Sequence, residues 1–105
     1  MHAEKIITGR ESADDLERSC KLAPIDSIGF TKQALIVFID RFLSGELSAA
    51  ELERIAEVID VNDSIEIPEH DRQAVINAVF SLSSTEINGK LDVQRVKAVR
   101  AAVLS

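Results

Sequence analysis

Carboxylate side chains are concentrated between positions 46 and 71, where nine Asp or Glu residues face the single basic residue Arg54. Carboxylates can transfer protons, bind divalent cations or pair with Lys and Arg of a partner. A block of negative charge repels nucleic acid phosphates and attracts basic proteins. The pattern therefore favours a basic protein as partner over nucleic acid, with a solvated surface that only keeps the chain soluble as the alternative.

Three of these acids are spaced to lie on one side of a helix. Glu53, Glu57 and Asp60 follow one another at steps of four and three, while Leu52, Ile55 and Ile59 occupy the opposite, apolar stripe. The spacing predicts an exposed acidic ridge.

The helix–loop–helix calcium pattern needs oxygen ligands at fixed positions and a glycine at the sixth position. Residues 40–51 place Gly45 correctly but have Phe42 at a ligand position. Residues 60–71 have Ile65 where the glycine must turn, and residues 84–95 start with serine and end with arginine. We predict no metal site.

Catalytic patterns are also missing from the sequence. The chain has two histidines, His2 and His70, neither with a partner at metal-ligand spacing, and it lacks a G-x-S-x-G elbow and a phosphate-binding loop. Cys20 is the only cysteine and has no histidine nearby in sequence. The basic residues between 90 and 100 lack the aromatic or glycine-rich company of a DNA-binding domain. We predict a protein that is not an enzyme and has no cofactor.

The elements that position the acids are predicted to be helices. At 105 residues, rich in Leu, Ile, Val and Ala and poor in aromatics, the chain fits one all-α domain, a compact bundle of four to five short helices. Capping residues predict helix starts at Ser12, Thr31, Ser48, Pro68 and Asp92. The helix over residues 31–44 is apolar nearly all round and is predicted to be central, with Gly45 as its C-terminal cap.

The remaining segments are predicted to be loops or short strands. Residues 24–29 are expected to form a loop, and residues 1–11 to be flexible or to include a short strand. Residues 5–7 and 64–67 are candidates for pairing as a small ribbon. The start lacks the apolar stretch of a signal peptide, and the longest apolar run, residues 34–39, is too short to span a membrane. The lone cysteine favours the cytosol.

Residues 38–57 resemble the helix–break–helix segment of colicin-type (bacteriocin) immunity proteins, including the small immunity proteins of contact-dependent growth inhibition systems. The resemblance is carried by an F-L-x-G-x-L-S-A-x-E-L run, which matches Phe42, Leu43, Gly45, Leu47, Ser48, Ala49, Glu51 and Leu52. It covers about a fifth of the chain.

The resemblance implies a small helical protein that binds a cognate toxin, commonly an RNase (including tRNase) or DNase, in a 1:1 complex and blocks its basic active site. The toxin-binding residues expected on this basis are acidic: Glu46, Glu53, Glu57, Asp60, Asp63 and Glu66. A weaker likeness links G-E-L-S-A-A-E and S-I-E-I-P-E-H-D-R-Q-A-V to the tellurite-resistance helical domain, which implies a metal-associated module. A protein–protein adaptor unrelated to toxins is the third hypothesis.

Overall fold

The computed structural model describes residues 5–85 and 90–105. Within them are five α-helices, which we number α1 (Ala13–Leu22), α2 (Lys32–Leu43), α3 (Ala49–Val61), α4 (Arg72–Ser83) and α5 (Val93–Leu104). Three two-residue strands, β1 (Lys5–Ile6), β2 (Ile28–Gly29) and β3 (Ile65–Glu66), and a 3₁₀ turn (Glu69–Asp71) complete the described elements. The predicted helical class is confirmed, with a very small sheet added to it.

Helix starts follow the predicted capping residues. The hydroxyls of Ser12, Thr31 and Ser48 each accept a hydrogen bond from the backbone N–H three residues later, at 3.1–3.2 Å. The Asp92 carboxylate does the same for Arg95 at 2.8 Å. Each cap satisfies a backbone N–H that a helix start leaves without an intrahelical partner. The fourth start differs, because Pro68 precedes the 3₁₀ turn and α4 begins only at Arg72.

The end of α2 is a glycine-terminated cap, as predicted. Gly45 has φ +88, and its N–H donates to the Phe42 carbonyl at 3.0 Å while the N–H of Glu46 donates to the Arg41 carbonyl at 2.8 Å. These two bonds define a Schellman motif, which needs a left-handed residue after the helix. The G-E-L-S-A-A-E run is thus the end of one helix followed by the cap of the next.

The sheet corrects two predictions. β2 pairs in parallel with β1 on one side and with β3 on the other, so residues 24–29 are not simply a loop. Residues 5–7 and 64–67 belong to one sheet, but each segment pairs with β2 rather than with the other. The Ile7 N–H donates to the Gly29 carbonyl at 2.9 Å, and the Phe30 N–H donates to the Glu66 carbonyl at 2.8 Å.

One hydrophobic core joins the helices and the sheet. The inner face of α2, with Ala34, Leu35, Phe38 and Ile39, is buried, and Phe38 packs on Phe30 with ring centroids 6.2 Å apart. Helix α3 contributes the predicted stripe of Leu52, Ile55 and Ile59, and Cys20 is also buried. In α5, Val96, Val99 and Val103 are buried, whereas Val93 is half exposed.

Candidate protein-binding surface

Helices α3 and α4 run antiparallel and frame an open cleft at one end of the molecule. Glu53, near the start of α3, accepts a hydrogen bond from Thr85, which follows α4, whereas Asp60, near the end of α3, shares the cleft with Ile76 of α4. β3 and the turn before β2 form the other walls of the cleft. Its volume is about 440 Å³. Three of the six predicted contact residues line it together: Asp60, Asp63 and Glu66.

The cleft carries a negative balance of charge. Asp26, which the sequence analysis did not single out, also lines it and brings its carboxylates to four, against the one cation Arg72. Arg72 donates a hydrogen bond from Nη2 to the Ile67 carbonyl at 3.3 Å. Because like charges in one concave site reinforce each other's electrostatic field, the cleft favours binding of a positively charged group.

A backbone hydrogen bond joins the two loops that carry Asp26 and Asp63. Asp26 has φ 56, a left-handed conformation that Asp tolerates better than most residues, and its N–H donates to the Asp63 carbonyl at 3.1 Å. Two residues after Asp26 the chain enters β2, where the Ile28 N–H donates to the Ser64 carbonyl at 2.9 Å. The acidic loops are therefore anchored to each other directly next to the central strand.

Glu57 lies on a different side of α3, in a groove against α1. The neighbouring cation there, Arg54, pairs with Asp14 at 2.5 Å and with Glu17 at 2.7 Å. The hydrogen bonds with Glu17 and Asp14 raise the pKa of Arg54 above its ordinary value. Glu57 is exposed, and Asn62, which follows α3, lines both this groove and the acidic cleft.

The two remaining predicted residues have intramolecular partners. Glu46 pairs with the Arg41 guanidinium, and Glu53 accepts the hydrogen bond from Thr85. A helix rises about 1.5 Å per residue, so α3 spans about 16 Å from Ala49 to Asp60, and Glu46 precedes the opposite end of that helix. The six residues thus do not form one continuous ridge: three share the cleft, Glu57 flanks it, Glu53 contacts Thr85 near the start of α3, and Glu46 precedes that helix.

Exposed apolar residues surround the cleft, and the sequence analysis did not identify them as part of a site. Ile25 and Ile76 line it and are 75% and 45% exposed, and Phe80, one helical turn beyond Ile76, is 51% exposed. A signal for the α4 pair exists in the sequence. Ile76 and Phe80 are four residues apart and fall off the stripe of Val75, Ala78, Val79 and Leu82.

The acids at the two ends of the first calcium-like stretch, residues 40–51, have partners within the chain. Asp40 lies within α2 and accepts a hydrogen bond from Arg100 Nε at 2.8 Å, and Glu51 binds the N–H of Ala13. Over residues 5–85 and 90–105, no group of three or more His, Cys, Asp or Glu side chains is placed to hold a metal ion. Over the same residues, no helix combines the length and apolar character needed to cross a bilayer.

Comparison with known proteins gives no match to a protein-family model, to a curated protein or to a solved structure.

Proposed function

We propose that this chain is an immunity-type inhibitor that binds a basic toxin, a nuclease acting on RNA or DNA, in a 1:1 complex in the cytosol of the producing cell. The observation that carries the proposal is the cleft itself. Asp60, Asp63 and Glu66, which were selected from sequence as contact residues, converge there with Asp26. Exposed isoleucines in the same cleft provide the apolar contact area that a protein interface needs.

The mechanism is occlusion by charge and shape. Nucleases bind phosphates through Lys and Arg, and the carboxylates of the cleft would occupy those cations in place of the nucleic acid. One exposed ion pair contributes only about 0–1 kcal/mol. Tight inhibition therefore requires several pairs that lose their water together, as they do in a cleft covered by a partner.

The experiment takes the nuclease domain of the cognate toxin that the proposal requires, sought in the reading frame next to this chain's gene, and measures its binding to the chain and the protection of cells that express it. Asp60→Lys and Asp63→Lys each replace a carboxylate of the cleft with a cation, and the double variant should weaken binding at least about 100-fold and abolish protection. Asp15→Lys is the matched control for each single variant, because it makes the same charge change at an exposed position of α1.

Thermal melting of all variants separates lost binding from lost folding. The proposal is wrong if the purified nuclease domain forms no complex with the wild-type chain. It is also wrong if the control weakens binding as much as the cleft variants do, since charge would then act without regard to position.

A further inference from the structure

The cleft is flanked by the one exposed aromatic side chain among the described residues. All four phenylalanines lie in the described part of the chain: Phe30 and Phe38 are buried, Phe42 is half buried, and Phe80 is 51% exposed. The sequence contains no Trp or Tyr. Exposing half of a phenylalanine forgoes a substantial part of its burial free energy, which is of the order of 1.5–3 kcal/mol for a large apolar side chain.

Phe80 continues an apolar surface that begins inside the cleft. It lies four residues after Ile76 on α4, so the two side chains are neighbours on one helix face. Ile76 lines the cleft together with Ile25, which belongs to the turn before β2 and is 75% exposed. Apolar groups from two separate segments thus flank the carboxylates Asp60 and Asp63.

We infer that Phe80, Ile76 and Ile25 form the apolar anchor on which a basic protein partner docks, with its Lys or Arg heads on the carboxylates of the cleft. This inference rests on the proposed function and adds the residues that hold the complex together. Lys and Arg suit such a site because their long aliphatic stems pack on apolar side chains while the charged head reaches an acid. Aromatic residues in the centre of an interface commonly dominate its binding free energy.

Charge decides between a basic partner and a second copy of this chain. The chain carries a net charge of −6, and a two-fold symmetric contact through this surface would bring the four cleft carboxylates of one copy towards those of the other. Like charges placed opposite each other in an interface are destabilising. A partner with cations next to an apolar patch can pair with the carboxylates of the cleft and also pack on its apolar side chains.

The test separates the apolar anchor from the charges by kinetics. The probe is the same nuclease domain, immobilised, with the full chain in solution. Phe80→Ala should raise the dissociation rate about 30-fold or more, and Ile25→Ala should raise it several-fold, while the association rate and its salt dependence stay nearly unchanged. Ile25 lies in a turn and is mostly exposed, so this variant also keeps the fold.

Leu104→Ala is the matched control for Phe80→Ala. Leu104 is 50% exposed, and it lies on α5, which packs on a different side of α4, along Ala74, Ala78 and Ser81. Its truncation should change the dissociation rate less than about 3-fold.

The outcomes of this test distinguish the inference from the proposed function. The inference is overturned if Phe80→Ala and Ile25→Ala dissociate like Leu104→Ala while Asp60→Lys still weakens binding, because the charged cleft would then act without this anchor. If the wild-type chain does not bind the nuclease domain at all, the proposed function itself fails, and the anchor fails with it. The inference is also overturned if Leu104→Ala raises the dissociation rate as much as Phe80→Ala does.

Discussion

The Glu51 carboxylate of α3 accepts a hydrogen bond from the backbone N–H of Ala13, the first residue of α1, at 3.2 Å. Glu51 follows Ser48 by three residues, which is the spacing of a capping box within α3. Its carboxylate instead accepts from a backbone N–H at the start of α1. The hydroxyl of Ser48 still caps α3 by accepting from the Glu51 N–H at 3.1 Å. Two helix starts that are far apart in sequence are thereby joined through one residue.

Removal of the Glu51 side chain should therefore destabilise the packing of α1 on α3. Glu51→Ala leaves a half-buried N–H without its acceptor and removes a negative charge from a helix N-terminus, so we expect a loss of about 1–2 kcal/mol. Urea denaturation followed by circular dichroism measures it. Glu51→Gln keeps an oxygen acceptor and should lose less, and equal losses for the two variants would contradict this account.

Gly9 makes a close approach to α2 that no other residue type permits. Its φ is +95, and a Cβ added there would lie 2.4 Å from Val37 Cβ and 2.7 Å from the Ala34 carbonyl oxygen. Backbone strain and overpacking should together make Gly9→Ala lose roughly 3 kcal/mol or more of unfolding free energy.

Gly45 provides the matched control for this prediction. It has a similar φ of +88, but a Cβ there would meet open space. Gly45→Ala should cost only the conformational strain, about 1–2 kcal/mol. If the two variants melt at the same temperature, the close contact with Val37 does not contribute.

Glu11 should make the stability of the fold depend on acid pH. Partial burial alone raises the pKa of Glu11, but hydrogen bonds from the N–H groups of Thr8 and Gly9 and from the Thr8 hydroxyl outweigh it, so the pKa lies below its ordinary value of 4.5. A carboxylate with a lowered pKa in the folded state stabilises that state fully above the unfolded pKa. This contribution is lost as the pH falls from about 4.5 through the lower folded value.

Wild-type protein should therefore lose more unfolding free energy than Glu11→Gln between pH 6 and pH 3, because the variant cannot titrate at this position. Urea denaturation at a series of pH values gives the difference. Parallel curves for the two proteins would show that Glu11 has the same pKa in the folded and unfolded states.

Added salt should lower the association rate of the proposed complex more than it changes the dissociation rate. The carboxylates of the cleft attract a basic nuclease domain over distances that salt screens, so the association rate should fall about 10-fold or more between 0.05 and 0.5 M NaCl. Stopped-flow or surface-binding kinetics measures both rates. The Asp60→Lys, Asp63→Lys double variant should show a shallower dependence, and a salt effect confined to the dissociation rate would contradict the role given to charge.

The features of the fold that sequence predicts correctly are those that depend on local interactions. The caps at Thr31 and Ser48 and the glycine end of α2 depend on residues within five positions of each other, so their letters are visible in one stretch of chain. The sequence predicts a loop where β2 lies, because a two-residue strand has no periodicity and its parallel partners lie more than twenty positions away.

The candidate site was only partly accessible to the same reasoning. Asp60, Asp63 and Glu66 were selected because they are acidic and close in sequence. Their junction with Asp26 depends on the pairing of β2 with β3, which no local pattern encodes. The spacing of Ile76 and Phe80 puts both on one side of α4, but which elements cover that side depends on the packing of α3 and β3.

The two ends of α3 differ in what their residues touch. At the first end, Arg41 donates to the carbonyls of Gly9 and Glu11 at 2.8 and 2.9 Å, and Glu51 holds α1, so these side chains are occupied within the chain. At the far end, Asp60 and Asp63 are exposed. Under the proposed function, variants of this chain can therefore change at Asp60 and Asp63 to match an altered toxin while they keep the contacts before α3. Divergence among such variants should accumulate at the Asp60 end of α3.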